Sequence, residues 1–451
     1  MRLRATRTVV VAALGAVVAV GLWPVASGST GRYASPDTVR AGQVVAATGG
    51  CYSADEPKTV EEQRLRLPLP GGNDRPASVR FIRAAGFGAA LARFERRLCR
   101  ADDVDAATRL VRASGARLWR RAVDRAQGEV QRGRIDPYDD RPLYWARTTM
   151  AANLREWAPD FELTSLQRQA LVRILAYESR GIESVTYPKG DDVSRVLVSG
   201  FDTYSLDDSL RNSNPSGASA LQLDGRRIST RNGTVVVQAV MLPVNWSDFD
   251  QGIVEDAFGP WLTPRRRLDM LMTISQTSRG RMDIEQWAGG FRGGFPDNNR
   301  AIHYGPISAA ARWPQPQPSP QWIETTLPYR AMIAADTQPW PVRLNDGICE
   351  WPVGAYPDPG SIRCKDDPTS LRTQAAEAPG GSYLSNESMY RTNRLRLGAG
   401  LRGLPGGHLH ISSLVYPKDE GRLTSPRFER DRLAVVDQTV ELVEAAGRAL
   451  N

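Results

Sequence analysis

Three residues of the types that activate a nucleophile stand far apart in the sequence: Ser385, His410 and Glu285. Ser385 follows two glycines and begins a predicted helix, where free backbone N–H groups can stabilise an oxyanion. His410 lies in the short apolar segment 409–411, and Glu285 follows an apolar segment. A hydroxyl, a basic imidazole and an orienting carboxylate can together attack an amide or ester carbonyl.

Each of these residues also has an ordinary structural explanation. Serine is a common helix cap, so Ser385 alone could do no more than begin its helix. His410 alternates with His408 along a predicted strand, which places both side chains on one face, and either could be a half-buried structural residue. Glu285 alone would be assigned to the surface, and we interpret His303 as structural.

The elements that must position these residues alternate between strands and helices. Apolar runs at 195–200, 234–242 and 268–274 predict buried strands, with further strands at 342–344 and 409–414. Predicted helices lie between them, at 249–258 and from about Ser425 to the end. This alternation predicts an α/β fold, a three-layer α/β/α sandwich at residues 191–451.

Two further segments lie at the end of the first predicted strand. Phe201 and Tyr204 follow it directly, and ligands of α/β sheets bind beyond the carboxyl ends of strands. Two aromatic rings there could enclose a flat ligand, or simply cover the end of the sheet. Asn214 precedes a proline and predicts the start of a helix.

The first 190 residues divide into three predicted segments. Residues 1–27 combine Arg2, Arg4 and Arg7 with an apolar run and small residues, which is typical of a signal peptide, with an uncleaved membrane anchor as the alternative. Residues 28–75 predict an irregular linker, and residues 76–190 an α-helical extension. We therefore expect a secreted or extracytoplasmic protein, in contact with membrane only if the N-terminal segment is retained.

The four cysteines agree with export. An even number in an oxidising compartment favours two disulfides, and the most economical of the three pairings joins Cys51 to Cys99 and Cys349 to Cys364. None has metal-ligand spacing, and the chain has three histidines, so we expect neither a metal nor another cofactor.

Nucleic acid is not an expected partner. The formal net charge is +8, and 54 of the 58 basic residues are arginine, but they are scattered among acidic residues. Binding to nucleic acid requires basic residues clustered on one face beside aromatic ones.

Taken in order, these segments resemble pyroglutamyl peptidase I, a cysteine peptidase family that removes N-terminal pyroglutamate. The letters GFDTY at 200–204 and NPS at 214–216 correspond to the family's G-F-D-P-F turn and N-P-S helix start. LPV at 242–244 and TLPYRAM at 326–332 match two further segments. The nucleophile segment A-G-T-Y-V-C-N corresponds to GGSYLSN at 380–386, with Ser385 at the position of the catalytic cysteine.

The remaining matches supply the other two site residues. HLHIS at 408–412 resembles the family's F-I-H-V-P strand and assigns the base to His410. SQTSRGR at 275–281 resembles G-Q-A-G-G-R and leads to Glu285. The resemblance covers about residues 193–445 and implies a phosphorylase/hydrolase-like fold. This chain differs from the family at Ser385, at Gln286, where the family has arginine, and in an insertion at about 346–379.

The resemblance implies a substrate pocket and a peptide partner. Residues lining the pocket for the lactam ring would be Phe201, Tyr204, Asn214, Gln276 and Leu384. The sequence thus favours a secreted hydrolase that uses a Ser-His-Glu triad in place of Cys-His-Glu. The alternatives are a catalytically inactive homologue that binds peptides or envelope components, and a hydrolase of a different amide or ester.

Overall fold

The computed structural model describes residues 50–53, 56–130, 133–310 and 312–450. These residues all belong to one compact unit within Gly42–Asn451. The predicted signal peptide or anchor at 1–27 lies outside the described residues. Among the helices that are described, none has the length and apolar character needed to cross a bilayer.

Six helices form the N-terminal part of the described chain. Asp103 caps the longest of them, because its carboxylate accepts a hydrogen bond from the Ala106 N–H at 2.6 Å. A capping box begins α6, since Thr164 and Gln167 exchange side-chain hydrogen bonds with each other's backbone. The helices are α1 (Val60–Gln63), α2 (Ala77–Ala84), α3 (Gly88–Leu98), α4 (Val104–Ala126), α5 (Arg141–Glu156) and α6 (Ser165–Glu178).

The predicted linker 28–75 is described only in part. Its described residues include α1. Glu62 and Arg64 are both 3% exposed, because this segment packs on helices α2 to α6, which we call the helical region. The first disulfide joins Cys51 to Cys99 at the end of α3.

A seven-stranded sheet forms the C-terminal part, in the order β12-β7-β16-β6-β1-β3-β2. The four central strands β16, β6, β1 and β3 are parallel, whereas β7 is antiparallel to β16, and β2 is antiparallel to β3. The strands of this sheet are β1 (Val193–Phe201), β2 (Arg227–Thr230), β3 (Gly233–Leu242), β6 (Met270–Gln276), β7 (Met282–Glu285), β12 (Val342–Asn345) and β16 (Gly406–Ile411).

Helices cover both faces of this sheet. Val196 and Val198 of β1 pack with α7 and α12 on one face, and Leu197 packs with α8, α9 and α11 on the other. The predicted three-layer α/β/α arrangement is therefore confirmed. The helices are α7 (Pro215–Leu223), α8 (Trp246–Asp250), α9 (Ile253–Phe258), α10 (Tyr329–Ala334), α11 (Leu384–Gly398) and α12 (Pro426–Arg448).

Smaller strand pairs surround the sheet. The predicted insertion contains a three-stranded sheet, in which the disulfide Cys349–Cys364 joins directly paired residues of β13 and β14. The remaining strands are β4 (Leu262–Thr263), β5 (Arg266–Arg267), β8 (Trp287–Gly289), β9 (Phe291–Pro296), β10 (Ile302–Pro306), β11 (Trp322–Glu324), β13 (Ile348–Glu350), β14 (Arg363–Lys365) and β15 (Ala375–Glu377).

The helical region and the sheet domain share a core. Leu206, Leu210, Leu221 and Met241 pack in the same apolar cluster as the helical region. A buried ionic network adds to this contact: the Arg141 guanidinium donates to Asp139 and to the Arg211 carbonyl oxygen. Removing the helical region would therefore expose apolar side chains of the sheet domain and leave the Arg211 carbonyl oxygen without this donor.

Three predictions differ from the structure. The single helix expected at 249–258 is divided into α8 and α9, because Gly252 adopts a φ of 84° that ends the first helix. The strand expected at 409–414 begins and ends earlier, at Gly406 and Ile411. Glu285 is the last residue of a strand rather than a residue that follows one.

Candidate active site

A buried imidazole–carboxylate pair lies on the adjacent strands β16 and β7. His410 Nδ1 and Glu285 Oε1 are 2.6 Å apart, and the two residues are 3% and 1% exposed. In the antiparallel β16–β7 pairing, Glu285 stands opposite His408, so the contact with His410 is diagonal. Glu285 is the one hydrogen-bond partner of the His410 ring within the described part of the chain. A carboxylate that accepts from Nδ1–H leaves Nε2 as the basic atom.

The amide of Asn345 fixes the carboxylate from its other side. Its Nδ2 donates to Glu285 Oε2 at 3.0 Å and to the Pro379 carbonyl oxygen at 2.9 Å. Asn345 thereby connects the acid to the loop that precedes Ser385. The sequence analysis did not identify Asn345. The one feature that could have indicated its role is its position at the end of a strand next to the strand of Glu285.

Ser385 is the second residue of helix α11. The preceding N-cap residue, Tyr383, has an extended backbone and makes no side-chain capping bond. Backbone N–H groups in the first turn of a helix have no intrahelical acceptor, so those of Ser385 and Asn386 can receive a developing negative charge. The half-buried Ser385 hydroxyl donates a long hydrogen bond of 3.5 Å to the Gly380 carbonyl oxygen.

Gly380 is the residue that connects the serine to the buried pair. A Cβ atom built on Gly380 would lie 2.6 Å from His410 Cε1 and 3.1 Å from Glu285 Cδ. The imidazole and the carboxylate therefore pack against the backbone of the same glycine whose carbonyl accepts from Ser385. The structure brings all three predicted residues to Gly380, and its hydrogen bonds place the hydroxyl on that carbonyl rather than on His410.

We expect Gly380→Ala to reduce the hydrolase activity predicted for this site by at least about 10²-fold, since a displacement of about 1 Å in reacting groups has such an effect. The added methyl group must displace the imidazole, with a stability loss of about 1–3 kcal/mol. Gly347→Ala is the matched control, because a Cβ there meets nothing within 4 Å. Kinetics and thermal unfolding measure both effects, and equal activity of the two variants would contradict the placement of His410 against Gly380.

His408 has a structural position beside the pair. Its ring nitrogens contact Thr273 Oγ1 at 2.6 Å and Ser275 Oγ at 2.8 Å, and its ring lies 4.5 Å from that of His410. Burial, with a smaller effect of His410, lowers the pKa of His408 well below its usual range. His408 is therefore neutral in the folded protein, and its ring supports His410 without adding a charge.

The depressed pKa of His408 predicts a pH dependence of stability. Below about pH 6.5 the unfolded chain binds a proton at this residue that the folded protein does not bind, so the free energy of unfolding decreases as the pH falls from 6.5 toward the folded pKa. We expect His408→Gln to reduce the pH dependence of the melting temperature between about pH 6.5 and 5, relative to the wild type. Equal slopes for His408→Gln and the wild type would contradict the assignment.

The residues predicted to line the pocket divide into two groups. Phe201 and Leu384 are buried in one apolar cluster, with Tyr204 packed against it. Gln276 Nε2 donates to the Tyr204 hydroxyl at 2.6 Å, whereas its buried Oε1 has no hydrogen-bond partner among the described residues. Burial raises the pKa of Tyr204, which stays a neutral phenol.

Both polar atoms of the Asn214 side chain make hydrogen bonds within the protein. Its Oδ1 accepts from the backbone N–H and the hydroxyl of Ser216, and its Nδ2 donates to the Asp202 carbonyl oxygen at 3.0 Å. Phe201 is stacked on Phe249, with centroids 6.2 Å apart. Tyr204 and Gln276 therefore offer the polar groups of the predicted pocket, and Asn214 shapes the loop that holds them.

Solved structures of two peptidases are similar to part of this chain. The solved structures with similarity include a mutant pyrrolidone carboxyl peptidase from Pyrococcus furiosus, with 18% identity, a TM-score of 0.37, and coverage of 56% of this chain and 97% of that one. Pyroglutamyl peptidase I from Bacillus amyloliquefaciens has 15% identity, a TM-score of 0.37, and coverage of 57% and 97%.

Two family models match the chain, the PA0049 N-terminal domain at residues 43–176 and the PA0049 C-terminal domain at residues 195–306. The curated relative is "Uncharacterized protein PA0049" of Pseudomonas aeruginosa, which is 33% identical over 502 aligned positions. The alignment covers 86% of this chain and 89% of that protein, and it includes both the helical region and the sheet domain. The chain therefore belongs to the PA0049 family.

Proposed function

We propose that this protein is an exported amide hydrolase that removes N-terminal pyroglutamate from peptides, with Ser385 as nucleophile, His410 as base and Glu285 as the group that orients the base. The observation that supports this proposal most strongly is the buried 2.6 Å contact between His410 and Glu285, packed on the same glycine that holds the Ser385 hydroxyl. A purely structural histidine does not require a buried carboxylate, which is costly to desolvate.

In the proposed reaction the Ser385 hydroxyl leaves the Gly380 carbonyl and donates to His410 Nε2. The Oγ–carbon bond forms as the proton moves to Nε2, and the N–H groups of Ser385 and Asn386 receive the oxyanion. The C–N bond then breaks, and the imidazolium returns its proton to the leaving amine. Water, deprotonated by His410, attacks the pyroglutamyl ester and releases free pyroglutamate and Ser385.

The pocket chemistry favours a small lactam. Gln276 Oε1 is a buried acceptor without a partner among the described residues, and it would accept the lactam N–H. The Tyr204 hydroxyl, which already accepts from Gln276, has its own proton to donate to the lactam oxygen. Phe201 and Leu384 supply apolar surface from the same cluster.

Export is supported by the two disulfides and by the N-terminal sequence pattern. Outside the cell a reactive thiol at position 385 would oxidise or exchange with these bridges. A serine avoids both reactions, provided that a base activates it at the moment of attack.

A catalytically inactive peptide-binding protein is the second candidate, and one observation favours it. The Ser385 hydroxyl contacts Gly380 at 3.5 Å, and no hydrogen bond joins it to His410 within the described residues. A site shaped for the larger sulfur atom can leave an oxygen too far from the base.

A chromogenic pyroglutamyl amide separates these functions. We expect the purified protein to release the chromophore from the pyroglutamyl amide and not from the prolyl amide, which lacks the lactam carbonyl. Saturable binding of a pyroglutamyl peptide without release would favour the binding protein. Labelling of Ser385 by a fluorophosphonate without pyroglutamyl cleavage would indicate a hydrolase of a different amide or ester.

A further inference from the structure

A cavity apart from the candidate active site is lined by both the helical region and the sheet domain. Its volume is about 430 Å³, within the range of small-molecule sites. Its lining comes from α5 and α6, from the segment 59–62 that contains most of α1, from residues within 245–253 of the sheet domain and from Asn299. The cavity therefore depends on the contact between the two parts of the chain.

The basic residues of this cavity are already neutralised. Each of the four that line it has a carboxylate partner: Arg147 and Arg180 share Asp202, Arg155 pairs with Glu62, and Arg173 pairs with Asp256. The lining carboxylates of Glu61 and Asp248 differ, because neither has a basic nitrogen within 4.0 Å in the described part of the chain. The cavity therefore favours a cation over an anion.

The Asp248 carboxylate has the most unused capacity to accept hydrogen bonds. The backbone N–H of Asp248 donates to Asn245 Oδ1 at 3.1 Å, but neither carboxylate oxygen accepts a hydrogen bond from a described residue, and both oxygens keep accessible surface. An acidic residue in the first turn of a helix is common, but it normally lies at the surface. Burial instead raises the pKa of Asp248, against an opposing effect of Arg180. This carboxylate is thus both deep in the protein and open to a ligand.

Glu61 adds a second negative charge to the cavity. Its carboxylate accepts from the Tyr144 hydroxyl at 2.8 Å and from Asn298 Nδ2 at 3.2 Å, so neutral groups hold it without balancing its charge. Burial, with smaller effects of Asp202 and Asp248, raises the pKa of Glu61 against the opposing hydrogen bond from Tyr144. Because two arginines share Asp202, three carboxylates here face two guanidinium groups, and one negative charge is left unbalanced. Such a cavity concentrates cations.

The remaining lining decides what kind of cation fits. Half-buried aliphatic side chains of α5 and α6 line the same cavity, namely Ala151, Val172 and Ala176. A hard metal ion needs about six oxygen ligands, and the described residues contain no group of three or more His, Cys, Asp or Glu placed to hold a metal. A metal ion would also leave the aliphatic groups uncovered. An organic ammonium compound matches both parts of the lining.

We propose that this cavity binds a small organic cation, whose ammonium group donates hydrogen bonds to the Asp248 carboxylate near the negative charge of Glu61, and whose aliphatic chain contacts Val172. The inference is independent of the proposed hydrolase activity, since none of the three proposed catalytic residues lines the cavity. The sequence analysis did not indicate this site, because residues of α1, α6 and α8 meet only in the folded chain.

Calorimetric titration of the full chain at about pH 7 tests the proposal. Hexylammonium is the probe, because its charge and its chain match the two parts of the lining. Methylammonium presents the head group alone, hexanol presents the same chain without charge, and hexanoate presents a similar chain with the opposite charge. We expect hexylammonium to bind at least about 10-fold more tightly than each of these three compounds, which is a difference of about 1.4 kcal/mol.

Three variants locate the site. Asp248→Asn removes the charge at nearly constant size and should weaken hexylammonium binding at least about 10-fold, since the ammonium group loses its counter-charge. Val172→Phe fills the aliphatic part of the cavity without changing its charge and should weaken binding by a similar factor. Asp191→Asn is the matched control, at an exposed position outside the cavity, and should change binding less than about 2-fold.

Melting curves confirm that the variants are folded, and Val172→Phe decides the test if Asp248→Asn does not fold. No binding of hexylammonium, or binding of hexanol that is equally tight, would overturn the proposal. Equal effects of Asp248→Asn and Asp191→Asn would overturn it as well, and so would hexylammonium binding that Val172→Phe leaves unchanged.

Discussion

Replacing Ser385 by alanine is expected to lower the rate of pyroglutamyl amide hydrolysis by at least about 10⁴-fold, while the melting temperature stays near that of the wild type. The large effect follows because the Oγ–carbon bond cannot form without the hydroxyl. The small effect on stability follows because the hydroxyl is half-buried and makes one long hydrogen bond, to the Gly380 carbonyl oxygen at 3.5 Å.

Two further serine variants sharpen this prediction. Ser247→Ala, at an exposed position of α8, should retain wild-type activity. Ser385→Cys should retain turnover and become sensitive to iodoacetamide, to which the wild type is resistant because all four of its cysteines are in disulfides. Full activity of Ser385→Ala would remove Ser385 from the mechanism.

Replacing Glu285 by glutamine is expected to lower the rate by about 10³–10⁴-fold. The carboxylate accepts from His410 Nδ1 at 2.6 Å and from Asn345 Nδ2 at 3.0 Å. A carboxamide can accept at one atom, so its NH₂ group must face either another NH₂ group or the imidazole nitrogen. Either arrangement moves the imidazole or fixes the wrong tautomer, and the imidazolium formed during attack loses its counter-charge.

The Glu285→Gln prediction has a matched control variant and a second kinetic test, the separate effects on kcat and KM. Glu324→Gln removes a carboxylate from an exposed strand position and should leave the rate unchanged. In Glu285→Gln the main decrease should be in kcat rather than in KM, because Glu285 contacts the base and not the substrate. A rate within about 10-fold of wild type would show that the buried pair is structural.

The sequence predicted the layered sheet because its central strands are continuous apolar runs that alternate with helices. It could not predict the antiparallel direction of β7, which depends on a connection of five residues after β6 and not on the composition of the strand. It also could not predict that α8 and α9 are separate helices, since the break depends on the φ angle of Gly252. Both features depend on local chain geometry, which the hydrophobic pattern does not encode.

The candidate site was predictable where residue type alone indicates chemistry. Ser385, His410 and Glu285 stand out as a hydroxyl, an imidazole and a carboxylate, and the fold brings them to Gly380. Asn345 was missed because an asparagine at the end of a strand has no chemical signature until its hydrogen bonds to Glu285 and Pro379 are known. Gly380 was missed as a contact residue because its role depends on close approach and not on a side chain.

The most direct test of the central claim, that His410 and Glu285 activate the hydroxyl of Ser385, is the intact mass of the protein after reaction with a fluorophosphonate. We predict one covalent adduct on the wild type, located on Ser385 by peptide mapping, absent from Ser385→Ala and formed far more slowly on Glu285→Gln. An unmodified wild-type protein, or an adduct that persists in Ser385→Ala, would contradict the account.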